Sequence, residues 1–172
     1  NCTAQIEGNL IYAVGKTWLN IDWLWEKQVI SFLEKWFISD LVSIFSLKDK
    51  KEQLLKLEWY KEKSVSNLLE SIEKAKNQSL VSFLTALWIE WVGKKTAKTL
   101  ASIFTKKEDL LEFSMSIEDL LNLEDFGPET SSSVYEFFND FEKKDLLKRL
   151  LEIIDIKFEN KIVEWWRFTW KR

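Results

Sequence analysis

The chain has 172 residues, 46% of them hydrophobic and 31% charged, with a formal net charge of −3 and a pI near 5.3. Length and balance fit one compact domain, or two small ones sharing a core. The lack of histidine excludes Ser-His-Asp and Cys-His catalysis, no apolar run reaches the ~20 residues of a membrane span, and the acidic balance argues against a nucleic-acid partner held by bulk charge.

In chain order, Asn1 to Leu10 lacks the basic start and apolar stretch of a signal peptide. The single cysteine, Cys2, cannot form an internal disulfide, so a reducing cytoplasm is expected. Ser39-Asp40 and Lys48-Asp49 read as helix starts. Thr105-Lys106-Lys107-Glu108 reads as a capping box before Leu110-Leu111, and Ser116-Ile117-Glu118-Asp119 as a weaker one before Leu120. Pro128, the only proline, fits the first position of a helix. Leu, Ile, Phe and Val recur at helical spacing almost throughout, and alternation of the β type is scarce. The expected fold is all-α, with roughly ten to twelve short helices and short connections.

Within that pattern a repeat is present. Four segments share the order apolar, acidic, X, apolar, Z: Ile21-Asp22-Trp23-Leu24-Trp25, Leu57-Glu58-Trp59-Tyr60-Lys61, Ile89-Glu90-Trp91-Val92-Gly93 and Leu123-Glu124-Asp125-Phe126-Gly127. Their starts lie 36, 32 and 34 residues apart, and each runs into a helix rich in small residues. A helix, a tight h-x-G-h-G turn and a second helix make a helix-hairpin-helix. Its glycines are expected to supply backbone angles that a Cβ disfavours and to let a phosphate approach closely. The following helix aims unpaired N–H groups and its positive dipole end at that phosphate. Such contacts carry no sequence information, so an acidic domain can still bind DNA. A tetratricopeptide array has similar spacing, but its Trp, Leu-Gly and Tyr pattern is not present.

Glycine and tryptophan counts are unusual. Four glycines are about 2% of the chain against a usual ~7%, whereas ten tryptophans are about 6%; pooled, the two types make about 8%. Tryptophan also fills hairpin slots where glycine is wanted, and it suits positive φ poorly. Two indoles flanking Leu24 would wall off a phosphate.

Several stretches resemble the C-terminal half of bacterial NAD-dependent DNA ligases. Asn1-Cys2-Thr3-Ala4-Gln5 is similar to the end of that family's four-cysteine zinc finger, C-P-A-Q, with Thr3 in place of proline. Lys16 to Lys27 is similar to R-x-(A/G)-(M/L)-(D/N)-I-x-G-L-G-E-K, and Leu57 to Asn67 to L-E-G-F-x-x-K-S-A-x-N. Leu84 to Ala97 resembles L-x-A-L-G-I-x-x-V-G-x-x-T-A, the most specific stretch. Val134 to Phe138 fits the end of the fourth unit, and Arg167 to Arg172 resembles the F-x-G-K entry to a BRCT domain. Under this alignment Trp23, Trp25, Trp59, Trp88 and Trp170 fall on family glycines, and Trp18, Trp36, Trp91, Trp165 and Trp166 are compatible with them. A UGA codon that the cell reads as glycine and a standard table variant reads as tryptophan would produce this substitution.

The resemblance implies four tandem helix-hairpin-helix units, in two pairs, over residues 16–158. Residues 1–15 would close a zinc-finger region, and residues 159–172 would lead toward a BRCT domain. It implies a sequence-nonspecific module for nicked double-stranded DNA within a cytoplasmic enzyme that seals 5′-phosphate/3′-hydroxyl nicks in replication and repair, acting as a monomer without membrane contact. The contact residues would be Trp23, Leu24, Trp25 and Lys27; Trp59, Tyr60, Lys61 and Lys63; Trp91, Val92, Gly93, Lys94 and Lys95; and Asp125, Phe126 and Gly127. The lysines read equally as solvated helix surface. NAD, Mg2+ and structural zinc belong to the full-length enzyme, with Cys2 a zinc ligand only alongside upstream ligands. The family's K-x-D-G nucleophile motif is absent, as are a P-loop and a dense carboxylate cluster, so this stretch is expected to hold no cofactor and to seal no nick alone. A helical protein-interaction scaffold, or the helix-hairpin-helix part of another repair protein, remains an alternative.

Overall fold

The computed structural model describes residues 3–158. These form eleven α-helices, a 3-10 turn at Leu47–Lys50 and two short strands. The helices are α1 (Thr3–Val14), α2 (Glu26–Glu34), α3 (Leu41–Phe45), α4 (Lys51–Leu54), α5 (Glu62–Ala75), α6 (Leu80–Ala86), α7 (Lys94–Ala101), α8 (Lys107–Leu111), α9 (Ile117–Leu121), α10 (Pro128–Asn139) and α11 (Phe141–Ile153). The strands β1 (Asn77–Ser79) and β2 (Asp155–Lys157) pair in parallel, with Gln78 opposite Ile156. They are the one departure from an all-helical reading. Three residues are too few to establish alternation, and the pairing partner is far away in sequence, so the sequence pattern does not reveal them.

The helices form where the apolar spacing and the start signals agree. Asp40 caps α3 by accepting from Ser43 N–H at 2.8 Å, and Ser116 caps α9 by accepting from Asp119 N–H at 3.1 Å. Asp119 closes that capping box by accepting from Ser116 N–H at 3.0 Å. The box at α8 is shifted by one residue from the sequence reading: Asp109, not Glu108, accepts from the backbone of Thr105 (2.8 Å) and Lys106 (3.1 Å). Lys48-Asp49 lies inside the 3-10 turn, and α4 begins after it. Pro128 is the first residue of α10, as its missing N–H allows.

One apolar core runs through the molecule from Leu10 to Ile156. Helix α1 buries Leu10, Ala13 and Val14 against α2 and α6. Helix α11 packs on α3, α8 and α10. Its C-terminal carbonyls, Leu151 and Ile154, accept from Lys107 Nζ at 3.2 and 3.3 Å. In the core, Phe113 and Phe138 stack with ring centroids 4.5 Å apart, and Phe104 packs against both at a tilt. The frame so formed carries the four sequence repeats on its connecting turns.

Candidate nucleic-acid interface

Each repeat sits between two helices, and its fifth residue is the residue just before the second helix begins. The four turns share hydrogen bonds as well as residue types. The fifth residue's carbonyl accepts from the N–H four positions on: Trp25 from Val29, Lys61 from Val65, Gly93 from Ala97 and Gly127 from Ser131, at 2.8–3.0 Å. In the last three copies the fourth residue's N–H also donates to the first residue's carbonyl: Tyr60 to Leu57, Val92 to Ile89 and Phe126 to Leu123. The first copy replaces that bond with one from outside, Asp22 N–H donating to Ser71 Oγ on α5 at 2.7 Å. Ser71 carries no sequence signal for this role.

The conformational requirement falls on the third residue, not the fifth. Trp23, Trp91 and Asp125 have φ of 67°, 62° and 66°, in the left-handed region that favours glycine. Trp59, in the second copy, does not. The fifth residues are extended, with φ of −85°, −97°, −86° and −104°, which any residue adopts. The expectation that both glycine slots need unusual backbone angles is therefore corrected: only the third does, and only in three copies. Nor does packing demand glycine at the fifth slot. A Cβ on Gly93 would meet nothing within 4 Å. A bare fifth position leaves room for something outside the chain.

Side chains of the sixteen candidates divide clearly. The fourth residues, Leu24, Tyr60, Val92 and Phe126, are buried in the core and offer an outside partner only backbone. Tyr60 does a second job: its hydroxyl donates to the Trp23 carbonyl at 2.7 Å, tying the second turn to the first, and burial pushes its phenol pKa upward. A matching tie joins the third and fourth turns, where Lys95 Nζ meets Asp125 Oδ1 at 2.6 Å. Its hydrogen bond to the Asp125 carboxylate, and that group's charge, raise the Lys95 pKa. Lys27, Lys61, Lys63 and Lys94 are exposed beside their turns. Trp25, Trp59 and Trp91 are exposed, and the rings of Trp23 and Trp25 lie together with centroids 5.5 Å apart.

The starts of the four repeat helices, like those of α4 and α8, lack a side-chain cap, in contrast to α3, α6, α9 and α11. No capping side chain accepts from the first turn of α2, α5, α7 or α10. Asp40, Ser79, Ser116 and Asp140 close α3, α6, α9 and α11 in that way. The open starts leave N–H donors and the positive dipole end facing outward. Acidic residues temper this: Asp22, Glu58, Glu90 and Glu124 are exposed in every turn, and the fourth copy has no lysine among its turn residues or first helical residues. The third copy combines a bare fifth residue, Gly93, with the exposed Lys94, while its Lys95 is engaged by Asp125.

Among the described residues, no group of three or more His, Cys, Asp or Glu side chains could hold a metal ion, and no helix is long and apolar enough to cross a membrane. Cys2 and the stretch 159–172 lie outside the described residues.

Residues 82–147, spanning the third and fourth copies, match the family described as helix-hairpin-helix motif. Over 153 residues, 89% of the chain is 38% identical to a DNA ligase of Oceanobacillus iheyensis. A Campylobacter lari DNA ligase is 38% identical over 94% of the chain, and one from Bacillus subtilis 36% identical over 88%. Most of the chain is thus similar to part of bacterial DNA ligases, and its third and fourth copies match the helix-hairpin-helix motif. It spans 22–24% of the length of these relatives.

Proposed function

We propose that the chain is the DNA-binding module of an NAD-dependent DNA ligase, built from four tandem helix-hairpin-helix units in two pairs. In this reading it grips nicked duplex DNA through phosphates, without sequence preference, in a cytoplasmic enzyme. The observation that carries it is the set of four helix starts left open by the repeats, on a frame whose other helix starts are mostly capped. Backbone donors at a helix start recognise phosphate without needing a basic surface, which reconciles a net charge of −3 with a DNA partner. The Tyr60–Trp23 and Lys95–Asp125 ties support the pairing of units one with two and three with four. Catalysis, with its NAD, Mg2+ and zinc, would belong to other parts of the ligase.

Anisotropy of a labelled nicked duplex titrated with the chain over a salt series tests this. Log affinity should fall linearly with log salt, by about 0.9 per phosphate contact. Lys94→Ala should flatten that slope by about one contact, whereas Glu129→Ala on the fourth copy should not flatten it. Absence of binding at low salt, for the chain as written and for a version with glycine at its tryptophans, would overturn the reading in favour of a protein-interaction scaffold.

A further inference from the structure

Seven of the ten tryptophans lie in the described residues: Trp18, Trp23, Trp25, Trp36, Trp59, Trp88 and Trp91. Six non-glycine residues there have positive φ. Two are Asn20 and Asp125, the residue types that tolerate the left-handed region best after glycine. The other four are all tryptophan: Trp23 at 67°, Trp36 at 60°, Trp88 at 53° and Trp91 at 62°. No described glycine has positive φ. Only a few per cent of non-glycine residues adopt this region, so four of seven tryptophans doing so is not a matter of chance placement.

The local geometry at each of the four is one that glycine ordinarily fills. Trp36 is the residue after the cap of α2. Its N–H donates to Leu33 and the next N–H, of Phe37, donates to Phe32 at 2.8 Å, which is a complete Schellman motif. The accompanying apolar contact is present too, Phe37 against Phe32 with ring centroids 5.7 Å apart. Trp88 holds the same place after α6, its N–H donating to Thr85. Trp23 and Trp91 are third residues of hairpin turns, equivalent to Asp125. Trp23 packs partly on the core and Trp88 edge-on against Tyr12, with ring centroids 4.3 Å apart, whereas the indoles of Trp36 and Trp91 stand in solvent. Trp36 is 83% exposed and Trp91 68%, and glycine and tryptophan pooled make about 8% of the chain, close to the usual glycine share of ~7%.

We propose that positions 23, 36, 88 and 91 are glycine in the protein as its cell makes it, specified by UGA codons that this cell reads as glycine. The strain of left-handed backbone is then relieved at these positions, and the third residues of the first and third hairpin turns present bare backbone where Trp23 and Trp91 now stand. The inference concerns the residues themselves and stands apart from the DNA-binding reading, so either can fail without the other.

The test is to sequence the gene and to measure peptide masses from the protein isolated from its native cells. The expected result is TGA at all four codons and glycine in all four peptides. TGG codons, or tryptophan in the peptides at any of the four positions, would overturn it.

Discussion

Trp36 offers the cleanest measure of backbone strain, because its indole is almost wholly in solvent. Left-handed backbone costs an L-residue about 1–2 kcal/mol. Glycine removes that cost and adds about 0.4–1 kcal/mol of unfolded-chain entropy. The difference favours glycine, so Trp36→Gly should raise the melting temperature by about 2–4 °C, on the scale of a domain this size. Trp18 is the control: it has no positive φ, packs on the core and lies 5.6 Å from the Tyr12 ring, so Trp18→Gly should lower it. A fall at Trp36 in differential scanning calorimetry would refute the strain argument. At this scale the sequence was partly legible. Tryptophan in slots that want glycine was visible from the repeat alone. That the strain falls on the third hairpin residue, and that Trp36 terminates a helix, required φ values that composition and spacing do not encode.

The helices carry their own switches in their first turns. Hydrogen bonds from the Ser116 side chain and backbone hold the Asp119 carboxyl below its usual range, and those from Thr105 and Lys106 do the same for Asp109. A carboxylate whose folded pKa is depressed adds stability above its unfolded pKa and loses it as pH falls through the folded value. Unfolded aspartate titrates near ~3.9, so the loss belongs to the window below about pH 4. Asp119→Asn should therefore be less stable than the parent at neutral pH, with the gap closing on acidification through that window; a gap independent of pH in thermal melts would contradict the assignment. Capping boxes were readable to within a residue, because the Ser-x-x-Asp pattern is local. The choice of Asp109 over Glu108 depends on where α8 begins, which packing against α11 decides. The open starts of α2, α5, α7 and α10 were readable for the same local reason: Trp, Lys and Gly in the capping slot offer the first turn no acceptor. The same locality made the four repeats findable, while their pairwise ties, from Tyr60 to Trp23 and from Lys95 to Asp125, join residues more than 29 positions apart and left no pattern to read.

Across the molecule the four turns sit on a shared frame rather than on separate halves. Helix α1 reaches both α2 and α6, α11 reaches back to α3, and β1 between α5 and α6 is stitched to β2 at the far end of the described chain. Asp155 N–H extends that stitch, donating to the Lys76 carbonyl at 2.7 Å. Ile156, 5% exposed at the centre of β2, is where this linkage meets the core. Truncating a buried isoleucine to alanine costs about 2–5 kcal/mol, a large share of a typical 5–15 kcal/mol stability. If the frame is one cooperative unit, that cost is felt everywhere. Ile156→Ala should then accelerate amide hydrogen exchange in α5 and in α10 together, and calorimetry should show one transition at a lower temperature. Acceleration confined to the segments beside β2, with α5 unchanged, would mean that the strand pair is a local latch and that the paired turns are held in register by the helices alone. That distinction would matter for the proposed binding of a rigid duplex. Phosphate spacing is fixed by the DNA, so four helix starts can engage it together only if the frame sets their separation in advance, since ordering them on contact would consume the binding energy they supply.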